Sequence, residues 1–167
     1  LPAPEPELQS GRTVQVYNVE TSQLMALDLE QYLVGVVAAE MPASFEIEAL
    51  KAQAVAARTF TVSRMENPNP NVTALDAQAQ LSTSPETCQA WISEEEQQAR
   101  WGKQYKTYHR KIVQAVAETT GEVLRYDGAL IEPLYHASCG GGRTENAEDV
   151  WGKAKPYFVS VSCNHPA

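Results

Sequence analysis

The stretch Leu29-Glu-Gln-Tyr-Leu-Val-Gly-Val-Val-Ala-Ala-Glu40 constrains this chain more than any other, because it reads as a core helix and stops at Met41-Pro42. Leu29, Leu33, Val36 and Val37 fall on one face at helical spacing. Asp28 offers an N-cap side chain, and Gln31, three residues on, completes a capping-box pattern. The residue that closes the run is Glu40. Most acidic side chains occupy solvated faces, but this one ends a segment that is otherwise core. A carboxyl in a water-poor setting is favoured in its neutral, proton-donating form, which a general acid requires. A helix-terminal surface carboxylate is the competing reading, and the residues alone leave the two about even.

After Pro42 a second helix is expected from Ser44 or Phe45, carrying Ile47, Leu50, Ala54, Ala57 and Thr61 at helical spacing. Its Ala-rich stretch permits close approach of a neighbour. Lys51 and Arg58, seven positions apart, share one side of it, about 10 Å apart along the axis at 1.5 Å per residue. If the two helices form a hairpin, both cations project toward the Glu40 end, where they could hold a sugar N-acetyl or lactyl group. Cations snorkelling from an Ala-rich helix are the plainer alternative.

The flanking segments read as short strands, turns and helices. Thr13-Val-Gln-Val-Tyr-Asn-Val alternates as a half-buried strand, and Leu24 to Leu27 offers a second. Residues 66–87 are turn-rich and read as a long surface loop. Ser93-Glu-Glu-Glu96 is a capping box opening a helical region to about Thr119, interrupted near Gly102, with Gly121 just beyond its end. Asp127-Gly128 between Glu122-Val-Leu-Arg-Tyr and Ala129-Leu-Ile-Glu is a hairpin signal. A Gly-rich loop, Ser138-Cys-Gly-Gly-Gly-Arg-Thr-Glu-Asn, and a short strand around Tyr157 to Val161 complete the chain. The fold class expected is α+β, a single mixed domain of short strands and several helices around a substrate cleft. Residues 1–12 form a Pro-rich linker and 13–167 the domain.

Composition excludes several roles. The 13 basic and 21 acidic residues give a net charge of −8, which argues against nucleic acid or an anionic membrane as the main ligand. No run approaches the roughly 18 apolar residues of a membrane span. The Pro-rich start suggests a trimmed upstream segment, such as a membrane anchor, as the only route to a membrane. Cys88, Cys139 and Cys163 leave at least one thiol unpaired in a monomer, and a bridge between Cys139 and Cys163 stays open.

The remaining constellations are weighed against plainer roles. Gly140-Gly141-Gly142 lacks the Lys-Ser/Thr ending of a phosphate loop, so nucleotide binding is discarded. Glu145, Glu148 and Asp149 add candidate second carboxylates. His136, Cys139, Cys163 and His165 invite a zinc reading, but their spacings are not the usual tight pairs, and no metal is expected. Trp91, Trp101 and Trp151, with seven tyrosines, either stack on sugars or fill a core.

Two long segments carry a family resemblance: Leu29 through Pro42, and Glu48-Ala-Leu-Lys-Ala-Gln-Ala-Val-Ala-Ala-Arg-Thr-Phe. Tyr135-His-Ala-Ser-Cys-Gly-Gly-Gly-Arg-Thr-Glu-Asn and Glu148-Asp-Val-Trp-Gly extend it. Together they resemble SpoIID/LytB domains, which include stage II sporulation protein D and amidase enhancers. The resemblance implies a peptidoglycan lytic transglycosylase of the cell envelope, acting on glycan strands stripped of stem peptides and alongside a cell-wall amidase. It places the catalytic acid on Glu40 and glycan contacts on Lys51, Gln53, Arg58, Ser138, Gly140 and Asp149. No cofactor is implied. Some relatives carry zinc in the long loop, but Ser82 and Thr87 replace two of the expected ligands around Cys88. Glycosidases ordinarily place two carboxylates around the scissile bond. A transglycosylase that closes a 1,6-anhydro ring needs one. The other branch of the family implies an alternative, a non-catalytic glycan-binding module that enhances an amidase.

Overall fold

The computed structural model describes residues 8–136 and 142–163, and its core begins at the alternating first strand. β1 (Thr13–Asn18) buries Val14 and Val16 completely while Thr13 faces solvent. It is the centre of a three-stranded sheet. β2 (Gln23–Asp28) runs antiparallel to it, with Val14 opposite Leu27 and Val16 opposite Met25. β3 (Leu81–Ser82) runs parallel to it, with Val16 beside Leu81. A parallel neighbour requires a crossover rather than a tight turn. This crossover contains two of the helices that build the core.

α1 (Leu29–Glu40) buries nine of its 12 residues, as an all-round apolar helix must. α2 (Ile47–Glu66) lays Leu50, Ala54 and Ala57 against it, and α5 (Tyr105–Glu118) adds Ile112, Val113 and Val116. Leu33, Leu50 and Ile112 are wholly buried. Each contributes roughly 1.5–3 kcal/mol relative to exposure. The alanines matter for what they omit, since a fully buried Ala54 and Ala57 allow α2 to approach closely.

Asp28 does cap α1, accepting from Glu30 N at 2.9 Å, but the capping box with Gln31 does not form. Its carboxylate also accepts from Ser10 N at 2.9 Å and Gly11 N at 3.2 Å, so residues just before β1 are tied to the domain. α2 starts at Ile47, a little later than expected, because the chain first turns through Phe45 N to Pro42 O at 3.0 Å. The segment read as a surface loop carries two elements. α3 (Pro70–Thr73) is capped by Asn69 with Pro70 in its first turn, and β3 follows. Val72 and Leu81 are fully buried, so this segment is anchored in the core.

α4 (Glu94–Trp101) opens on the expected capping box between Ser93 and Glu96. A short 3-10 turn at Gly102–Gln104 separates it from α5. β4 (Arg125–Tyr126) and β5 (Ala129–Leu130) form the hairpin, with Asp127 at φ 49° and Gly128 at φ 80°. Positive φ at both turn residues is what the Asp-Gly pair supplies. Near the end, β6 (Gly142–Arg143) pairs with β7 (Ser162–Cys163), and α6 (Ala147–Trp151) lies between them. The last strand therefore falls just beyond the 157–161 segment. The fold is α+β, and no helix among the described residues is long and apolar enough to cross a membrane.

Candidate active site

Glu40 is half-buried at the end of α1, where Met41 turns extended at φ −129° and Pro42 has no N–H to continue the ladder. Its Oε1 accepts from Ala90 N at 2.8 Å. That donor is held in place by its neighbours. Ile92 N donates to Gly35 O, and Trp91 packs against Gly35, where an added Cβ would sit 2.2 Å from Trp91 Nε1 and 2.8 Å from Ile92 O. Only glycine admits this approach. On the other side Gln89 is buried and donates Nε2 to Thr61 Oγ1 at 3.2 Å and Ala57 O at 3.4 Å. The 89–92 segment thus bridges α1 and α2 and presents one backbone N–H to Glu40.

A polar cluster surrounds this carboxylate. The Tyr135 hydroxyl donates to Gln89 Oε1 at 3.2 Å and lies against Glu40. Burial first, and the Glu40 carboxylate second, push that phenol above its ordinary range, so it stays a hydroxyl. Burial above all does the same to Tyr32. The Tyr32 hydroxyl and Gln53 Nε2 are both buried, Tyr32 against Gln89 and Gln53 against Tyr135.

Tyr135 also joins this cluster to a groove of about 580 Å³. Arg143, Glu145, Trp151, Tyr157 and Phe158 are among its walls. Phe158 lies 4.9 Å from Tyr157 and 6.3 Å from Trp151, centroid to centroid, and Trp151 is 59% exposed. Of the three tryptophans read as either core or sugar platform, Trp91 and Trp101 pack on the core and Trp151 lies in the groove.

The other expected site residues separate. Gln53 joins Glu40 through Tyr135. Lys51 instead pairs with Glu48 at 2.8 Å and Glu118 at 2.5 Å. Arg58 is 1% exposed and bound to Glu30 at 2.6 Å, with further bonds to Val116 O and Glu122 O, both at 3.2 Å. The seven-residue spacing does put both cations on one face, but that face meets α5. Arg58, expected to touch a glycan, has its guanidinium held inside the core by these bonds. Asp149 is exposed on α6 and accepts from Asn146 Nδ2 at 2.7 Å. Ser138 and Gly140 lie outside the described residues, as do Cys139 and His165 of the zinc and disulfide readings. Ser82 and Thr87 hydrogen-bond each other at 2.8 Å, and Ser82 N donates to Cys88 Sγ at 3.4 Å. Sequence reasoning missed Tyr32, Gln89 and Tyr135. The Tyr135-His motif was visible, but nothing in it showed that the hydroxyl reaches α1.

An α+β domain with a carboxylate-centred polar cluster opening on an aromatic groove is the class these features define. The family model described as stage II sporulation protein, SpoIID, matches residues 17–126, and the chain belongs to that family. It is 42% identical over 149 residues to stage II sporulation protein D of Bacillus subtilis, covering 89% of this chain and 42% of that protein. It is 40% identical over 158 residues to the same protein of Bacillus amyloliquefaciens, covering 94% of this chain and 45% of the relative. An amidase enhancer of Bacillus subtilis is 34% identical over 128 residues, 77% of this chain and 14% of its own length. The chain spans less than half the length of these relatives.

Proposed function

We propose that this domain is a lytic transglycosylase that cleaves the bond between N-acetylmuramic acid and N-acetylglucosamine in peptidoglycan strands stripped of stem peptides. The observation that carries this reading is Glu40, fixed by one backbone N–H and lying against Tyr135, which also lines an aromatic groove. In its protonated form Glu40 donates to the glycosidic oxygen. The bond from that oxygen to the muramoyl C1 breaks as charge develops on the ring. The resulting carboxylate then takes the proton of the C6 hydroxyl, and O6 bonds to C1. The products are a 1,6-anhydro end and a free hydroxyl on the leaving sugar. Glu40 ends protonated again. No water, second carboxylate or cofactor enters.

Tyr135, kept as a hydroxyl by its setting, supplies a donor beside the reacting carboxylate. We assign glycan contacts to Gln53 and Asp149, and to Ser138 and Gly140 of the Gly-rich loop. Lys51 and Arg58 are given no contact. Action in the cell envelope, on septal wall remodelled in sporulation, accords with the names of the stage II relatives. A cell-wall amidase is proposed as its partner, in accord with the name of the amidase-enhancer relative. Mass spectrometry of digested stripped strands tests the reading: anhydromuramic ends are expected, and their absence with the wild-type domain would end it.

A second reading follows from the amidase-enhancer relative, a domain that binds glycan and stimulates an amidase without cleaving. It predicts amidase stimulation that survives Glu40→Gln.

A further inference from the structure

We infer that Arg143 reads the free lactyl carboxylate of a muramoyl residue and so selects strands whose stem peptides have been removed. The inference rests on the glycan-cleaving reading above and adds to it the origin of substrate choice. Removing a stem peptide hydrolyses the amide on the lactyl group and leaves one carboxylate per disaccharide. A protein of net charge −8 repels such a polymer unless it meets a local cation.

The groove supplies one. Arg143 lines it together with Tyr135, Trp151, Tyr157 and Phe158. Lys51, Arg58 and Lys155 are each paired with a carboxylate, to Glu48 and Glu118, Glu30 and Glu132 respectively. Arg143 has no such partner among the described residues. Its Nε donates to Ser160 Oγ at 3.1 Å. That serine is itself fixed, Oγ donating to Thr144 O at 2.6 Å and N donating to Asn146 Oδ1 at 2.8 Å. The tether orients the guanidinium, whose terminal nitrogens have no bond among the described residues. A planar fork matches a carboxylate in two parallel bonds, which an amide in the same place cannot accept. Glu145 shares the groove, so the local charge is balanced and the site is not a general trap for anions. The aromatic faces of Trp151, Tyr157 and Phe158 suit the apolar faces of sugar rings.

The test compares stripped strands with the same strands after conversion of the lactyl carboxylate to its methylamide. A charge-assisted pair predicts that wild type prefers the free acid by roughly tenfold to a hundredfold in kcat/KM. Arg143→Gln should lose that preference by slowing only on the free acid, and Arg143→Lys should restore part of it. Equal wild-type rates on both strands would overturn the inference. So would an equal loss on both strands in Arg143→Gln. If wild type cleaves neither strand, the transglycosylase reading fails, and wild-type binding to the two strands then decides the inference separately.

Discussion

Replacing Arg58 with methionine removes the positive half of a pair in which both side chains are 1% exposed and the closest approach is 2.6 Å. Glu30 would be left charged in the core, among α1, α2 and α5, with nothing opposite it. Removing one partner of a buried pair costs about 3–5 kcal/mol. In addition Val116 O and Glu122 O, each 3.2 Å from the guanidinium, lose a donor. For a domain of this size 1 kcal/mol moves the melting temperature by about 2–4 °C, so a fall of roughly 10 °C is expected. Arg58→Lys keeps the charge but not the fork, and should cost about 1–3 kcal/mol. Pairing Glu30→Gln with Arg58→Met should recover much of the single-variant loss, because the stranded charge is gone. Thermal and urea unfolding of the four proteins measure this directly. If Arg58→Met unfolds within about 1 kcal/mol of wild type yet loses glycan binding, the core assignment is wrong. The substrate contact implied by family resemblance would then be right.

Three further outcomes follow from the same geometry. Gly35→Ala places a methyl 2.2 Å from Trp91 Nε1 and should cost about 1–3 kcal/mol, with activity falling further as Ala90 N moves off Glu40. Thermal melts and kcat read the two effects, and unchanged activity would show that the 89–92 segment does not position the carboxylate. Tyr135→Phe removes the hydroxyl beside Glu40 and should lower kcat about tenfold to a hundredfold, as loss of a positioned donor does. Stability should hold within about 1 kcal/mol. An unaltered kcat would remove Tyr135 from the site. For Lys51, hydrogen bonds to Glu118 and Glu48 raise the lysine, and the bond from Lys51 chiefly lowers Glu118. A depressed carboxyl stabilises the fold at neutral pH and loses that contribution as pH falls through its folded pKa. The melting-temperature gap between wild type and Lys51→Met should therefore close on acidification and persist into mildly alkaline pH. A gap independent of pH would contradict the pairing.

The local elements were legible because each is written in nearby residues. Alternation marked β1, Ser93 and Glu96 marked the start of α4, and Asp127-Gly128 marked the hairpin. Glu40 stood out in the sequence because a carboxylate between an apolar helix and a proline is unusual in itself. What could not be read was which face meets which. Lys51 and Arg58 do share a side of α2, but periodicity is silent on whether α5 or a groove lies opposite. Glu30 looked like one more polar residue in the run until Arg58 arrived across the core. The parallel pairing of Val16 with Leu81 joins residues far apart in sequence, so β3 was hidden inside what looked like a loop. Tyr135 and Ala90 reach Glu40 from two separate segments, and no spacing rule connects them.

The central claim is that one carboxylate cleaves the glycosidic bond without water. Digesting stripped strands in heavy-oxygen water and weighing the muramoyl ends tests it most directly. The account predicts 1,6-anhydro ends carrying no label, lost in Glu40→Gln. Reducing ends with one labelled oxygen per cleaved bond would mean hydrolysis and contradict it.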